Sequence, residues 1–160
     1  MHIEAKLRAL GLELPPPPAL PPGVMLPFPW VRVRGRRGFV SGHGPQTPDG
    51  AIAGPFGKVG DAVTPAQAHA LARQVALSML ASLQRALGDL DRVSAWLRVF
   101  GMVNSAPGFD RQPGVINGFS ELILELWGLE RGAHARSAVG MAALPFGIAV
   151  EIEAEVEVDG

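Results

Sequence analysis

Hydrophobic and polar positions alternate most regularly near the end of the chain. Over residues 150–158, Val, Ile or Ala fills one set of positions, while Glu151, Glu153, Glu155 and Glu157 fill the other. A period of two sends alternate side chains to opposite faces, so this stretch reads as a half-buried strand. Residues 134–140 read as a preceding strand, joined to it through a Pro/Gly turn at 145–147. Earlier the period lengthens. Ala68, Leu71, Ala72, Val75, Met79, Leu83 and Leu87 recur at helical spacing. Thr64-Pro65-Ala66-Gln67 opens this helix as a capping box with proline at its first position, and Gly88 closes it. A second helix opens at Pro113, carries Val115, Ile116, Phe119, Leu122, Ile123 and Leu126 on one stripe, and ends at Gly128.

Residues 92–103, rich in Val, Leu, Trp and Phe, predict a long strand. Residues 30–34 and 38–42 predict a hairpin turning through Gly35-Arg36-Arg37, and a short extra strand fits near Ala51. At the N-terminus, Ile3, Leu7 and Leu10 line a short helix that Gly11 ends. Pro15 to Pro18, then Pro21 and Pro22, cannot continue it and predict an extended arm. Such an arm is either a ligand for a proline-binding partner or a strap across the protein's own surface, and the strap is the expectation carried forward. The division expected is residues 1–26 as helix and proline-rich arm, and residues 27–160 as one domain.

Strands interspersed with two helices predict an α+β two-layer sandwich, a mixed, mostly antiparallel sheet with both helices on one face. Two helices cover only that face. The apolar character of the strands then predicts that another subunit covers the other.

A chain of 160 residues with a formal net charge of -1 offers no electrostatic case for nucleic acid. Cysteine is absent, which excludes disulfides, thiolate catalysis and cysteine-held metals. No apolar run spans a bilayer, and Met1-His2-Ile3-Glu4 does not open a signal peptide, so the expectation is a cytoplasmic protein without membrane contact. Arg32, Arg34, Arg36 and Arg37 form a basic cluster, but no interleaved aromatics suit it to base stacking. Gly54 to Lys58 lacks the spacing and the following Ser/Thr of a phosphate loop. Ser41-Gly42-His43-Gly44-Pro45 is a better ligand site, because glycine lets a backbone approach a small molecule closely.

The run His134-Ala135-Arg136-Ser137-Ala138-Val139-Gly140, with Leu144-Pro145 and the glutamate strand after it, resembles the C-terminal signature of the Rid or YjgF family of imine deaminases. Residues 40–45, 57–60, 88–93 and 115–120 match further blocks in order, so the resemblance spans nearly the whole chain and is closest to the subgroup with a longer N-terminal segment. It implies the chorismate-mutase-like fold, a homotrimer whose sheets pack into a central barrel, and three pockets between neighbours. It implies hydrolysis of 2-imino acids to keto acids and ammonia, with no cofactor and no metal.

Arg136 matches the carboxylate-binding arginine. A planar guanidinium grips a carboxylate with two parallel hydrogen bonds that lysine cannot reproduce. Glu151 aligns with the glutamate that orients or deprotonates the attacking water. Backbone around Ser137 and Ala138 completes the pocket, Asn117 lies near it, and Gly42 and His43 line it. His134, two residues before Arg136 on the same strand face, is a candidate proton carrier. The tyrosine of better-studied members aligns with Phe28, unless Trp30 takes its place, and their cysteine is Ala138. Two other functions follow from the same residues: a non-catalytic trimer that binds a small carboxylate, and an RNA-cleaving or RNA-binding protein using the basic hairpin.

Overall fold

The computed structural model describes residues 2–160. Five strands form one sheet in the order β1-β2-β5-β3-β4: β1 Val31–Arg34, β2 Arg37–His43, β3 Val93–Asn104, β4 Ala135–Met141 and β5 Val150–Val158. Every pairing is antiparallel except β3 with β4. Helices α1 (His2–Ala9), α2 (Pro65–Leu87) and α3 (Gln112–Gly132) complete a mixed α+β fold.

The helices begin and end where local chemistry dictates. Thr64 accepts from the Gln67 N–H while the Gln67 side chain accepts from the Thr64 N–H, and Gly88 turns the exit left-handed at φ 82. The second helical pattern does not stop at Gly128. That residue leaves helical geometry (φ 74, ψ 175), and one further turn continues to Gly132. The first hairpin is tighter than predicted. Arg34 pairs with Arg37, so only Gly35 and Arg36 lie in the turn, with Gly35 at φ 59.

Alternation along β5 sends Val150, Ile152, Ala154, Val156 and Val158 into the core beneath α2 and α3. Trp96 meets Phe119 and Trp127 edge-on in that core, with centroids 5.8 and 5.5 Å apart. The two helices touch closely at Gly118, where a Cβ would come 2.0 Å from the His69 carbonyl oxygen.

Two expectations are corrected here. Strands β4 and β5 do not form a hairpin, because β3 lies between them. The parallel β3–β4 pair needs a long crossover, which α3 supplies, and this sends β4 to the sheet edge. The uncovered sheet face is not simply apolar either. Its side chains include Arg37, Arg98 and the four glutamates beside Phe39, Phe100 and Met102, because the apolar half of β5 is spent on the helix side. Arg37 binds Glu155 at 2.5 Å, and Arg36 pairs with Glu157 at 3.3 Å. Two of the four hairpin arginines are thereby neutralised.

The N-terminal segment lies on the body of the protein. Ile3 and Leu7 are buried in the main core, and the prolines continue as a strap alongside the loop after β2.

Candidate active site

Pairing register places Arg136 level with Val99 of β3, and Glu151 level with Met102. Val99 points into the helix-covered core, while Met102 belongs to a small cluster with Leu144 and Ile148. Three positions apart on a strand means opposite faces. Arg136 therefore projects on the helix side at the sheet edge, and Glu151 on the open side. Within one chain, β3 and the sheet itself separate the two.

Helix α3 fixes the arginine. Arg136 Nη1 donates to Asn117 Oδ1 at 2.8 Å and to Ser120 Oγ at 3.1 Å, and Nη2 donates to the Pro113 carbonyl at 3.3 Å. A guanidinium carries five N–H groups. Among the described residues three are used, and the two remaining match the two oxygens of a carboxylate. Ser137 faces the open side and is exposed, whereas Ala138 turns toward the core, so the two residues serve different faces.

Glu151 lines a cavity of about 280 Å³ with Trp30, Gly42, His43 and Ile148. The close approach at Gly42 is needed, since a Cβ there would lie 3.1 Å from the glutamate's carboxyl carbon. Burial, and secondarily the charge of Glu153, raises the Glu151 pKa above its ordinary value. Of the two aromatic candidates, Trp30 and not Phe28 lines this cavity. Its ring lies tilted against that of His43 with centroids 4.9 Å apart, while Phe28 touches it edge-on at 5.7 Å and lines a neighbouring hollow with Arg32 and Arg98.

His43 and His134 are held in two relays of the same design. His43 Nδ1 donates to the Ser41 carbonyl at 2.6 Å, because that partner can only accept. Its Nε2 must then accept from Ser82 Oγ at 2.9 Å, and Ser82 accepts in turn from Arg85 Nη2 at 2.9 Å. His134 repeats the arrangement: Nδ1 to the Gly132 carbonyl at 2.7 Å, Nε2 to Ser120 Oγ at 2.9 Å, and Arg136 onto Ser120. Burial disfavours the charged form of both rings, and the neutral form these contacts fit is the Nδ1–H tautomer. Sequence spacing alone assigned no site role to α2, yet Ser82 and Arg85 buttress one wall of the cavity. Their four- and three-residue helical neighbours are ordinary, so only the tertiary fold reveals them.

Burial lowers the His43 pKa from 6.5 to about 4, the Ser41 carbonyl opposing and the Arg85 charge adding to it. Burial lowers that of His134 in the same direction. The unfolded chain binds the His43 proton near pH 6.5 and the folded chain only near 4, so between these values the unfolded state holds more protons. Stability from His43 is complete above pH 6.5 and is lost as pH falls toward 4, on the order of 3 kcal/mol. Denaturant melts at pH 7 and pH 4.5 are expected to show a smaller acid loss for His43→Gln than for the parent.

One acidic trio, Glu4, Asp89 and Asp91, gathers its carboxylate oxygens within 4.8 Å. These carboxylates accept backbone N–H groups, Glu4 from Leu90 and Asp91 from Ile3, which is capping work. Among the described residues, no helix is long and apolar enough to cross a membrane.

The chain is 41% identical over 158 residues to protein TCP17 of Trypanosoma cruzi, covering 99% of this chain and 95% of that protein. A crystal structure of a protein of unknown function from Agrobacterium tumefaciens is similar at TM-score 0.86 and 40% identity, over 99% of this chain and 92% of the other. An endoribonuclease candidate from Shewanella oneidensis MR-1 follows at TM-score 0.85 and 28% identity, over 98% and 99%. RidA from the Antarctic bacterium Psychrobacter sp. shares the fold at TM-score 0.56 and 20% identity, over 89% and 94%. No family model matches the chain. With its edge arginine, its glutamate strand and this fold, the chain belongs to the Rid/YjgF family, also called L-PSP.

Proposed function

We propose that the protein hydrolyses 2-imino acids to 2-keto acids and ammonia, in pockets shared between the subunits of a homotrimer. The observation that carries this reading is the separation just described. Among the described residues the Glu151 cavity is lined by no Lys or Arg, and Arg136, with two N–H groups to spare, lies at the sheet edge. A neighbouring copy whose β4 edge meets this cavity supplies the missing charge.

The partner subunit's Arg136 grips the substrate carboxylate, held in orientation by its own Asn117 and Ser120. Glu151 takes a proton from water as the oxygen bonds to the imine carbon and the C=N electron pair moves to nitrogen. Glu151 returns that proton to nitrogen, giving the carbinolamine; its hydroxyl proton then passes by way of Glu151 to the amine, the C–N bond breaks as the C=O bond forms, and ammonia leaves. Water and imine are consumed in equal amounts, with no net redox change. Trp30 and the face of neutral His43 shape the cavity, and His134 keeps Ser120 turned toward the arginine. His134 is therefore a positioning group in this scheme, both its ring nitrogens being engaged.

A raised carboxylate pKa suits a base that works near neutrality. Ammonia release from an imine generated in the assay is expected, and kcat/KM is expected to fall on acidification. Glu151 must be ionised to act, so the midpoint of that fall lies above the ordinary carboxylate pKa of 4.5. A rate independent of pH down to pH 4 contradicts the assignment. Absence of release from any imine leaves the protein as a carboxylate-binding trimer. The ion-paired Arg36 and Arg37 give the RNA reading no added support.

A further inference from the structure

The proline strap touches the cavity that the deaminase reading uses. Prolines fix φ before folding, so the segment is ordered at low entropic cost. Its fastening is specific. Arg85 Nη1 donates to the Pro15 carbonyl at 3.4 Å, Gln46 Nε2 to the Pro16 carbonyl at 3.2 Å, and the Ala19 N–H to the Gly50 carbonyl at 3.3 Å. Gly50 seats it, since a Cβ there would meet Pro16 Cγ at 3.0 Å and the Pro17 carbonyl oxygen at 3.1 Å. The arginine that holds Pro15 is the one that caps the His43 relay. Strap and cavity wall thus share one hydrogen-bonded support.

Beyond its fastenings the strap lines the cavity with Pro18, Ala19, Leu20 and Pro21. Ile52, Phe146 and Ile148 continue the same apolar lining. Leu20 and Ile52 are 43% and 42% exposed and Phe146 is 80% exposed, so apolar surface is left open at the mouth. Phe146 also holds a left-handed φ of 59, a conformation costly for a residue with a bulky side chain. Among the described residues, the ionisable groups of the lining are Glu151 and the neutral His43.

Resting on the deaminase reading, we infer that the strap is the specificity-determining element of this site and selects 2-imino acids with a bulky apolar side chain, branched or aromatic. The reacting carbon lies at Glu151, the carboxylate points to the partner's arginine, and the side chain enters the strap-lined end. A small or charged side chain leaves that surface wet or its own charge unpaired.

The test is calorimetric binding of pyruvate, 4-methyl-2-oxopentanoate and phenylpyruvate to the full chain, which reads selectivity without turnover. The parent is expected to bind the two bulky acids at least about tenfold more tightly than pyruvate, the discrimination that an apolar pocket gives for a few carbon atoms. Leu20→Ser and, separately, Ile52→Ser are expected to shrink that preference severalfold. Gln46→Ala, which unfastens the strap, is expected to do the same. Equal affinities in the parent, or an undiminished preference in all three variants, overturn the inference. A preserved preference with no ammonia released from any imine contradicts the deaminase reading and leaves the apolar site standing. Failure to bind any keto acid contradicts both.

Discussion

Glu151→Gln is expected to lower ammonia release by about 10²–10⁴-fold while changing keto-acid affinity little. Glutamine keeps the volume and the hydrogen-bonding outline of glutamate but cannot take a proton from water. Glu155 provides the control. It projects from the same face of β5, but it is tied to Arg37 at 2.5 Å and lies about 13 Å further along the strand. Glu155→Gln therefore loses one partly exposed ion pair, worth about 0–1 kcal/mol of stability, and none of the rate. Steady-state ammonia release from parent and both variants decides the matter. Equal rates in all three would make Glu151 one more sheet carboxylate.

Gly118→Ala is expected to be the most destabilising single-methyl change in the chain, by about 3 kcal/mol or more. Its added carbon would lie 2.0 Å from the His69 carbonyl oxygen, inside any real contact distance, and the obstacle is backbone that cannot rotate aside. Helices α2 and α3 would have to separate. Alanine's better helix propensity returns only about 1 kcal/mol. Parting the helices also disturbs Asn117 and Ser120, the neighbours of Gly118 in sequence that hold Arg136. Chemical denaturation is expected to show a lowered midpoint with an unchanged slope. Retention of the parent midpoint would mean that the helix contact is looser than described.

Local patterns carried much of this fold in plain sight. The Thr64–Gln67 capping box, the stripe from Ala68 to Leu87 and the alternation over 150–158 each follow from short-range sterics and hydrogen bonding, and each appears where its residues predict. The order of strands does not follow from such patterns. Residues 135–141 and 150–158 are adjacent in sequence, and the turn between them suits a hairpin as well as a step across the end of β3. What decides is the length of α3, a crossover that seats β4 parallel to β3 at the edge. The same decision puts Arg136 and Glu151 on opposite faces.

The candidate site was legible only as a set of residues. Residue type and resemblance single out Arg136, Glu151, Gly42 and His43; the structure brings the last three to one cavity and leaves Arg136 on the other face, with Asn117 among its hydrogen-bond partners. Neither residue type nor resemblance singles out Ser82 or Arg85. A serine and an arginine on a helix are unremarked until β2 brings His43 against them. The strap's fastening was equally hidden, because a proline run has no periodicity to show which face it presents. Gly50 and Gln46 are the residues that define its seat, and neither forms a recognisable motif with the prolines 30 positions away.

The central claim is that each site takes Glu151 from one subunit and Arg136 from another. Arg136→Lys and Glu151→Gln are each expected to be inactive as homotrimers, since each removes one half of every site. Co-expressed in equal amounts, they form mixed trimers in which about a quarter of the sites combine an intact arginine with an intact glutamate. Ammonia release from the mixture is therefore predicted to recover to about a quarter of the parent rate per site, with an elution position matching a trimer. A mixture of assembled trimers as inactive as its two components would contradict a site shared between subunits.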